Sequence, residues 1–387
     1  MDTFDVVVIG AGIAGAAAAY EMAADRSVLL LEQEAHPGHH TTGRSAALFS
    51  ETYGNAAIRA LTAGSRRFYM QPPAGFATPL LSPRGVVMVA RPDQAARLQA
   101  WVESVGPAAS AMTAAEVLAR VPVLRRDYVG AGALEPGAMD IDVHALHDGY
   151  LRGAKARGAA IVTNARLDGL TRSEAGWTVR GGADTWAAEA VVNAAGAWAD
   201  QVAALAGAAP CGLQPMRRTA LTVDLPDGVD AAGWPVVIDA DEGFYFKPEG
   251  GRLLLSPADE TPMPPCDVQP DELDIAICVD RVQRAADLPV RRVVRAWAGL
   301  RSFVADRTPV VGLDPGVPGF FWLAGQGGYG IQTAPAMGRL AAALLARRGV
   351  PADLADWGVD AAALAPGRPG AVAGAIMGAR PLQEQAA

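Results

Sequence analysis

Gly10-Ala11-Gly12-Ile13-Ala14-Gly15 follows directly on the β-branched run Asp5-Val6-Val7-Val8-Ile9, and an alanine-rich stretch at 16–24 follows in turn. A strand, a tight turn and a helix in that order make an anion cradle. Gly10 permits the turn, Gly12 lets the backbone approach a pyrophosphate, and Gly15 lets the helix pack on the strand. The first helical N–H groups, from Ile13 and Ala14 onward, face the anion. A second apolar run, Ser27-Val28-Leu29-Leu30-Leu31, ends in Glu32, 17 residues beyond Gly15, with Gln33 beside it. A carboxylate there accepts both hydroxyls of a ribose and disfavours a 2′-phosphate. The chemistry is therefore the binding of FAD or NAD rather than NADP.

The next segment separates those two. Thr41-Thr42-Gly43-Arg44-Ser45-Ala46-Ala47, followed by Leu48, is polar, small and turn-rich where a nicotinamide dehydrogenase would begin another strand–helix unit. This layout resembles the flavoenzymes of the D-amino-acid oxidase and glycine oxidase (DAO) superfamily. In that family the segment lies along the pyrophosphate and beneath the flavin ring. Three later blocks resemble the same family. The run Val191-Val192-Asn193-Ala194-Ala195-Gly196-Ala197-Trp198 is similar to its second flavin motif, which places Ala195 and Gly196 at the cofactor. Gly299-Leu300-Arg301 is similar to its Gly-Leu-Arg strand. Gly325-Gln326-Gly327-Gly328-Tyr329-Gly330-Ile331-Gln332-Thr333 is similar to its closing flavin loop. The four blocks run in family order from residue 5 to about residue 345.

The resemblance implies non-covalently bound FAD and hydride transfer to flavin N5 from a D-amino acid. The product is an imino acid, which water converts to a 2-oxo acid and ammonia. It also implies roles. Arg301 resembles the bidentate carboxylate clamp and Arg218 a second cationic contact. Tyr53 and Tyr245 match positions whose hydroxyls bond the carboxylate. Gly328 matches one whose carbonyl faces the amine. Thr333, Ala334 and Pro335 read as a helix start, with a helix over about 334–346. Its N-terminus would favour negative charge at the flavin's pyrimidine edge, with the N–H groups of Gly330, Ile331 and Gln332 as donors. No side-chain base for the amine is evident. The electron acceptor implied is a quinone-like carrier or O₂.

Several stretches, among them 42–47, 72–76, 121–127 and 326–333, resemble the D-arginine dehydrogenases within that superfamily. Two positions depart. Val86 stands where those enzymes place an acid facing the guanidinium, and Leu48 stands where they place a histidine. Losing a charge-assisted contact costs roughly 1.5–3 kcal/mol, about 10- to 150-fold in preference. The pocket at Leu48 and Val86 is therefore expected to favour neutral or hydrophobic D-amino acids. The same blocks are compatible with a glycine, sarcosine or imino-acid oxidase, with a 2-hydroxy-acid dehydrogenase, or with a non-catalytic flavoprotein.

The elements that must position these residues are read from the whole chain. Its 387 residues are 51% hydrophobic and 19% charged, which fills a core of two or three domains and excludes a disordered chain. A net charge of −8 argues against a nucleic-acid partner. Three cysteines, Cys211, Cys266 and Cys278, form no CxxC, so neither a disulfide scaffold nor a structural metal site is expected. The His144 and His147 pair reads as a polar helix face, His36, His39 and His40 as solvated loop residues, and Arg301 has Asp306 as an alternative ion-pair partner. The fold class is α/β. A Rossmann-like FAD-binding domain with a parallel sheet comprises roughly 1–80, 140–210 and 296–375. A substrate-binding domain with a mixed, largely antiparallel sheet comprises 81–139 and 211–295, and 376–387 reads as a flexible tail. The acidic start carries no secretory signature and the apolar run at 6–20 is glycine-broken, so a cytoplasmic protein without a transmembrane segment is expected, with peripheral contact at the inner membrane face left open.

Overall fold

The computed structural model describes residues 1–371; the tail expected at 376–387 lies outside the described residues. The β-branched run at the start becomes the strand Asp2–Ile9, whose Val6, Val7 and Val8 are fully buried. Burial on both faces is what a continuous apolar strand requires, and it arises because parallel neighbours flank it. Val28–Leu31 lies on one side and Asp184–Asn193 on the other, both parallel. Ala160–Val162 and Phe320–Ala324 extend the parallel core, and Val310–Leu313, Leu167–Ser173 and Gly176–Gly181 add antiparallel edges to make eight strands. The helices Ile13–Met22, Val143–Ala156 and Gly330–Leu345 cover one face. Trp177, Trp322, Val202 and their neighbours close the other.

A second, nine-stranded sheet stands against the first. Its long pair is Gln214–Val223 with Val293–Phe303, antiparallel over their whole length. Arg252–Ser256, Tyr245–Glu249, Val236–Asp239, Val86–Ala90 and Ala131–Glu135 follow in order, antiparallel except for Val236–Asp239 on Val86–Ala90. The sequence boundary at 296 therefore falls inside a strand of this second sheet, and Arg301 belongs to it. One face carries Val87, Val89, Leu221, Phe246 and Leu255 into a core shared with Cys278 and Val282 of the helix Glu272–Ala285. Side chains alternate along a strand. The register therefore puts Arg218, Arg301, Tyr245, Val86 and Glu135 together on the opposite face, the one that roofs the glycine-rich turn.

The last site helix starts earlier than its sequence suggests. It begins at Gly330, and Thr333 lies inside it, its hydroxyl donating to the Tyr329 carbonyl at 2.9 Å. Pro335 removes the N–H that would bond the Ile331 carbonyl. Tyr69 donates its hydroxyl to that carbonyl, and the Ala336 N–H turns to Ser65 Oγ at 3.1 Å. Both partners of this repair, the Tyr69 hydroxyl as donor and Ser65 Oγ as acceptor, sit on the helix Ala56–Met70, so the proline is accommodated by packing. No helix among the described residues is long and apolar enough to cross a membrane.

Candidate functional site

The glycine-rich turn is built as its residue types demand. Gly10 has φ +98°, and a Cβ there would stand 2.6 Å from the Ala194 carbonyl oxygen. A Cβ on Gly15 would overlap the Gly10 carbonyl at 1.8 Å, so the helix can approach the strand only with glycine. Thr42 accepts the Ile13 N–H at 3.0 Å, which brings the excursion after Glu32 back over the helix N-terminus. Glu32 is buried; one oxygen accepts the Ala11 N–H at 2.9 Å and the other the Glu34 N–H at 3.0 Å. Each carboxylate oxygen retains a lone pair for a hydroxyl.

These groups open on a cavity of about 610 Å³. Gly10, Gly12, Ile13, Ala14, Glu32, Gln33, Thr41, Thr42, Arg44, Ser45 and Ala46 line it, as do Ala195, Gly196, Gly327, Gly328, Gly330 and Ile331. Arg218, Tyr245 and Arg301 line its roof. The cavity thus runs from a carboxylate, past a helix N-terminus whose Ile13 N–H is already taken by Thr42, to a guanidinium-lined end. That donor set fits a dinucleotide with a ring system at the roofed end. None of the three cysteines lines it.

Gly15, Gly43, Ala47, Leu48, Tyr53, Val86, Tyr329 and Gln332 stand off the cavity wall. Leu48 and Val86 nevertheless meet in one apolar cluster with Ala138, Val236 and Ile238. Tyr53 packs on Tyr329 with ring centroids 4.8 Å apart. The Gln332 side chain faces away, accepting the Ser50 N–H at 3.3 Å and donating to Thr62 at 2.9 Å.

Arg44 lines the cavity, but its guanidinium is not free for a cofactor. Its guanidinium is committed to the Val268 and Ala298 carbonyls, at 3.0 and 3.1 Å, and to the Asp267 carboxylate. Its role is to tie the excursion to the second sheet. The reading of His147 as part of a polar helix face is overturned. His147 is buried, and its Nε2 lies 2.8 Å from the Ala11 carbonyl, bracing the glycine-rich turn. Burial, the largest influence, holds its pKa below the usual histidine range, so the ring is neutral at pH 7. His39 and His40 line the cavity, with His40 held by Glu34 at 2.9 Å.

The roof carries two guanidinium groups in different states. Arg218 donates to the Asp259 carbonyl at 2.8 Å and to Glu260 at 3.1 Å. Glu260 also takes both Arg307 nitrogens, at 3.0 and 2.8 Å. Burial raises the Glu260 pKa, but the hydrogen bonds from Arg307 and the charges of Arg307, Arg218 and Arg301 outweigh it, and the carboxyl titrates below its ordinary range. Arg301 has no such partner: among the described residues no carboxylate oxygen lies within 4.0 Å of it. Its near neighbour is the Tyr53 hydroxyl at 3.4 Å. Burial works against its charge, and Tyr53, Tyr245, Glu260 and Tyr329 work for it; the net shift is upward and the guanidinium stays protonated. Asp306, the alternative partner, is taken by Arg368 at 2.8 and 2.9 Å.

Sequence reasoning missed Glu260, Arg307 and Glu135. Isolated charged residues on strands or turns carry no motif; the sheet register brings Glu135 to the roof, and Glu260 and Arg307 reach it from the loops at 257–260 and 304–309.

The family described as "DAO: FAD dependent oxidoreductase" matches residues 5–344. Glycine oxidase of Geobacillus kaustophilus (strain HTA426) is 24% identical over 371 residues, 92% of this chain and 96% of that protein. A crystal structure of glycine oxidase from G. kaustophilus superposes with TM-score 0.81 at 23% identity, covering 95% of this chain and 99% of the other. L-proline dehydrogenase from P. horikoshii superposes with TM-score 0.78 at 21% identity, covering 90% and 96%.

Proposed function

The chain belongs to the DAO family of FAD-dependent oxidoreductases, and from that premise we propose that it is a D-amino acid dehydrogenase acting on neutral or hydrophobic side chains. The observation that carries this reading is Arg301, a charged, buried guanidinium with no carboxylate oxygen within 4.0 Å among the described residues. A desolvated cation is costly unless an anion meets it. The α-carboxylate of an amino acid is such an anion, and a guanidinium holds it bidentately.

The protein's part is placement. Arg301 grips the carboxylate, and the hydroxyls of Tyr53 and Tyr245 add donors. Arg218 lines the same roof and adds positive potential, though Glu260 restrains it. In this reading the Gly328 carbonyl accepts from the amine, as the family resemblance implies, and the carboxylate and amine together fix which C–H faces the cavity. FAD, bound without a covalent link, supplies the two-electron acceptor for that hydrogen. Water then hydrolyses the imino acid to a 2-oxo acid and ammonia. The D stereochemistry rests on the resemblance of the sequence blocks, and the neutral side chain on the apolar cluster that holds Leu48 and Val86.

Similarity to a glycine oxidase favours a second reading, oxidation of glycine or a small secondary amine in the same clamp. One experiment separates them. Purified holoenzyme is mixed anaerobically with D- and L-amino acids, glycine, sarcosine, D-proline and 2-hydroxy acids, and air is then admitted. Bleaching of the flavin by D-Leu, D-Met or D-Phe supports the first reading; bleaching by glycine or sarcosine alone supports the second. Bleaching by hydroxy acids alone, or by nothing, defeats both. The return of colour in air reports whether O₂ or a quinone-like carrier reoxidises the enzyme.

A further inference from the structure

Glu135 is buried on the roof sheet, directly opposite Val86 in the antiparallel register, and no cation pairs with it among the described residues. Its partners are all neutral and all come from one short stretch. Ser50 Oγ lies 3.0 and 2.9 Å from its two oxygens, Thr52 Oγ1 donates at 2.7 Å, and the Glu51 N–H donates at 3.1 Å. A buried carboxylate without a counter-charge is expensive. Three donors from three consecutive residues nonetheless define the position of the segment tightly.

That segment continues into Tyr53. The chain then turns at Gly54, with φ +92°, and enters a helix capped by Asn55, whose Oδ1 accepts the Ile58 N–H at 3.1 Å. The stretch is therefore anchored on both sides of Tyr53, and Tyr53 is the residue that reaches Arg301.

We propose that Glu135 is a positioning residue for the substrate clamp: by holding residues 50–52 it fixes the Tyr53 hydroxyl beside Arg301 and sets the affinity for the substrate carboxylate. The inference rests on the clamp reading given above. Glu135 does not line the cavity and acts through Tyr53.

Glu135→Gln and, from the other side of the contact, Thr52→Val are prepared as holoenzymes together with Tyr53→Phe and the two double variants. Steady-state rates are measured with D-leucine and a redox dye, and FAD content is read by absorbance. Glu135→Gln is expected to raise KM about tenfold while kcat stays within about twofold and FAD content is unchanged. Thr52→Val is expected to move KM the same way by a smaller factor. In the Tyr53→Phe background either change should add less than about twofold, because the residue it acts through is already disabled. Should Glu135→Gln not fold, Thr52→Val carries the comparison alone. An unchanged KM in Thr52→Val, or a full effect persisting beside Tyr53→Phe, would overturn the role of Glu135. A wild-type KM in Tyr53→Phe itself would remove the tyrosine from the clamp and this inference with it.

Discussion

The backbone of Gly328 lies flat against the guanidinium of Arg301. A Cβ built on Gly328 would stand 2.9 Å from Nη1 and 3.1 Å from Cζ, closer than real Cβ contacts allow. Arg301 therefore keeps its place only because residue 328 has no side chain. Gly328→Ala should push the guanidinium aside, raising KM for a D-amino acid at least about tenfold while FAD remains bound. A KM within twofold of wild type would show that the clamp tolerates the methyl.

Arg301→Met removes the charge and keeps much of the volume. FAD should stay bound, and kcat/KM for substrate should fall by roughly 10²- to 10³-fold, the scale of losing a desolvated charge partner. Stopped-flow reduction under anaerobic conditions checks this. Bleaching at the native rate would place the carboxylate anchor elsewhere.

Side-chain selectivity follows from Leu48 and Val86. Their cluster puts no acid at position 86, and the carboxylate opposite it, Glu135, is already held by Ser50, Glu51 and Thr52, so D-Leu, D-Met and D-Phe should exceed D-Arg and D-Lys in kcat/KM by about tenfold or more. A redox-dye panel decides it, and a strong preference for D-Arg would overturn the assignment of selectivity to Leu48 and Val86.

Tyr69→Phe deletes the donor that satisfies the Ile331 carbonyl beside Pro335. A buried acceptor left unpaired costs about 1–3 kcal/mol. The Tm should fall accordingly, with FAD content retained. An unchanged Tm would mean that another group takes over the carbonyl.

Glu260 gives the fold an acid limit. Its pKa is lowered in the folded state, so it contributes stability that is complete above the unfolded carboxyl value of about 4.3 and is lost as pH falls through the lower folded value. Glu260→Gln should cost about 3–5 kcal/mol at pH 7 by stranding Arg218 and Arg307. It should also flatten the decline in denaturation midpoint below about pH 4. Equal pH slopes in the two proteins would assign the acid limb to other carboxylates.

The sequence by itself determined the cradle. Gly10, Gly12, Gly15 and Glu32 are legible because each answers a constraint set within about 25 residues: a positive φ, a close backbone approach, a strand that ends in an acid. The order of the four blocks likewise named the fold before any coordinate. Only the tertiary structure decided which guanidinium is free. Arg44, Arg218 and Arg301 look alike along the chain, yet Asp267 claims the first and Glu260 shares the second, while the third has only the Tyr53 hydroxyl beside it and no carboxylate oxygen within 4.0 Å among the described residues. The start of the helix at Gly330 was decided in the same way, since Tyr69 and Ser65 offset what Pro335 removes. The reason is common to all of these. Local rules fix backbone shape, but the partners that commit a charge or a carbonyl come from loops and helices remote in sequence, and only the folded arrangement brings them within hydrogen-bonding distance.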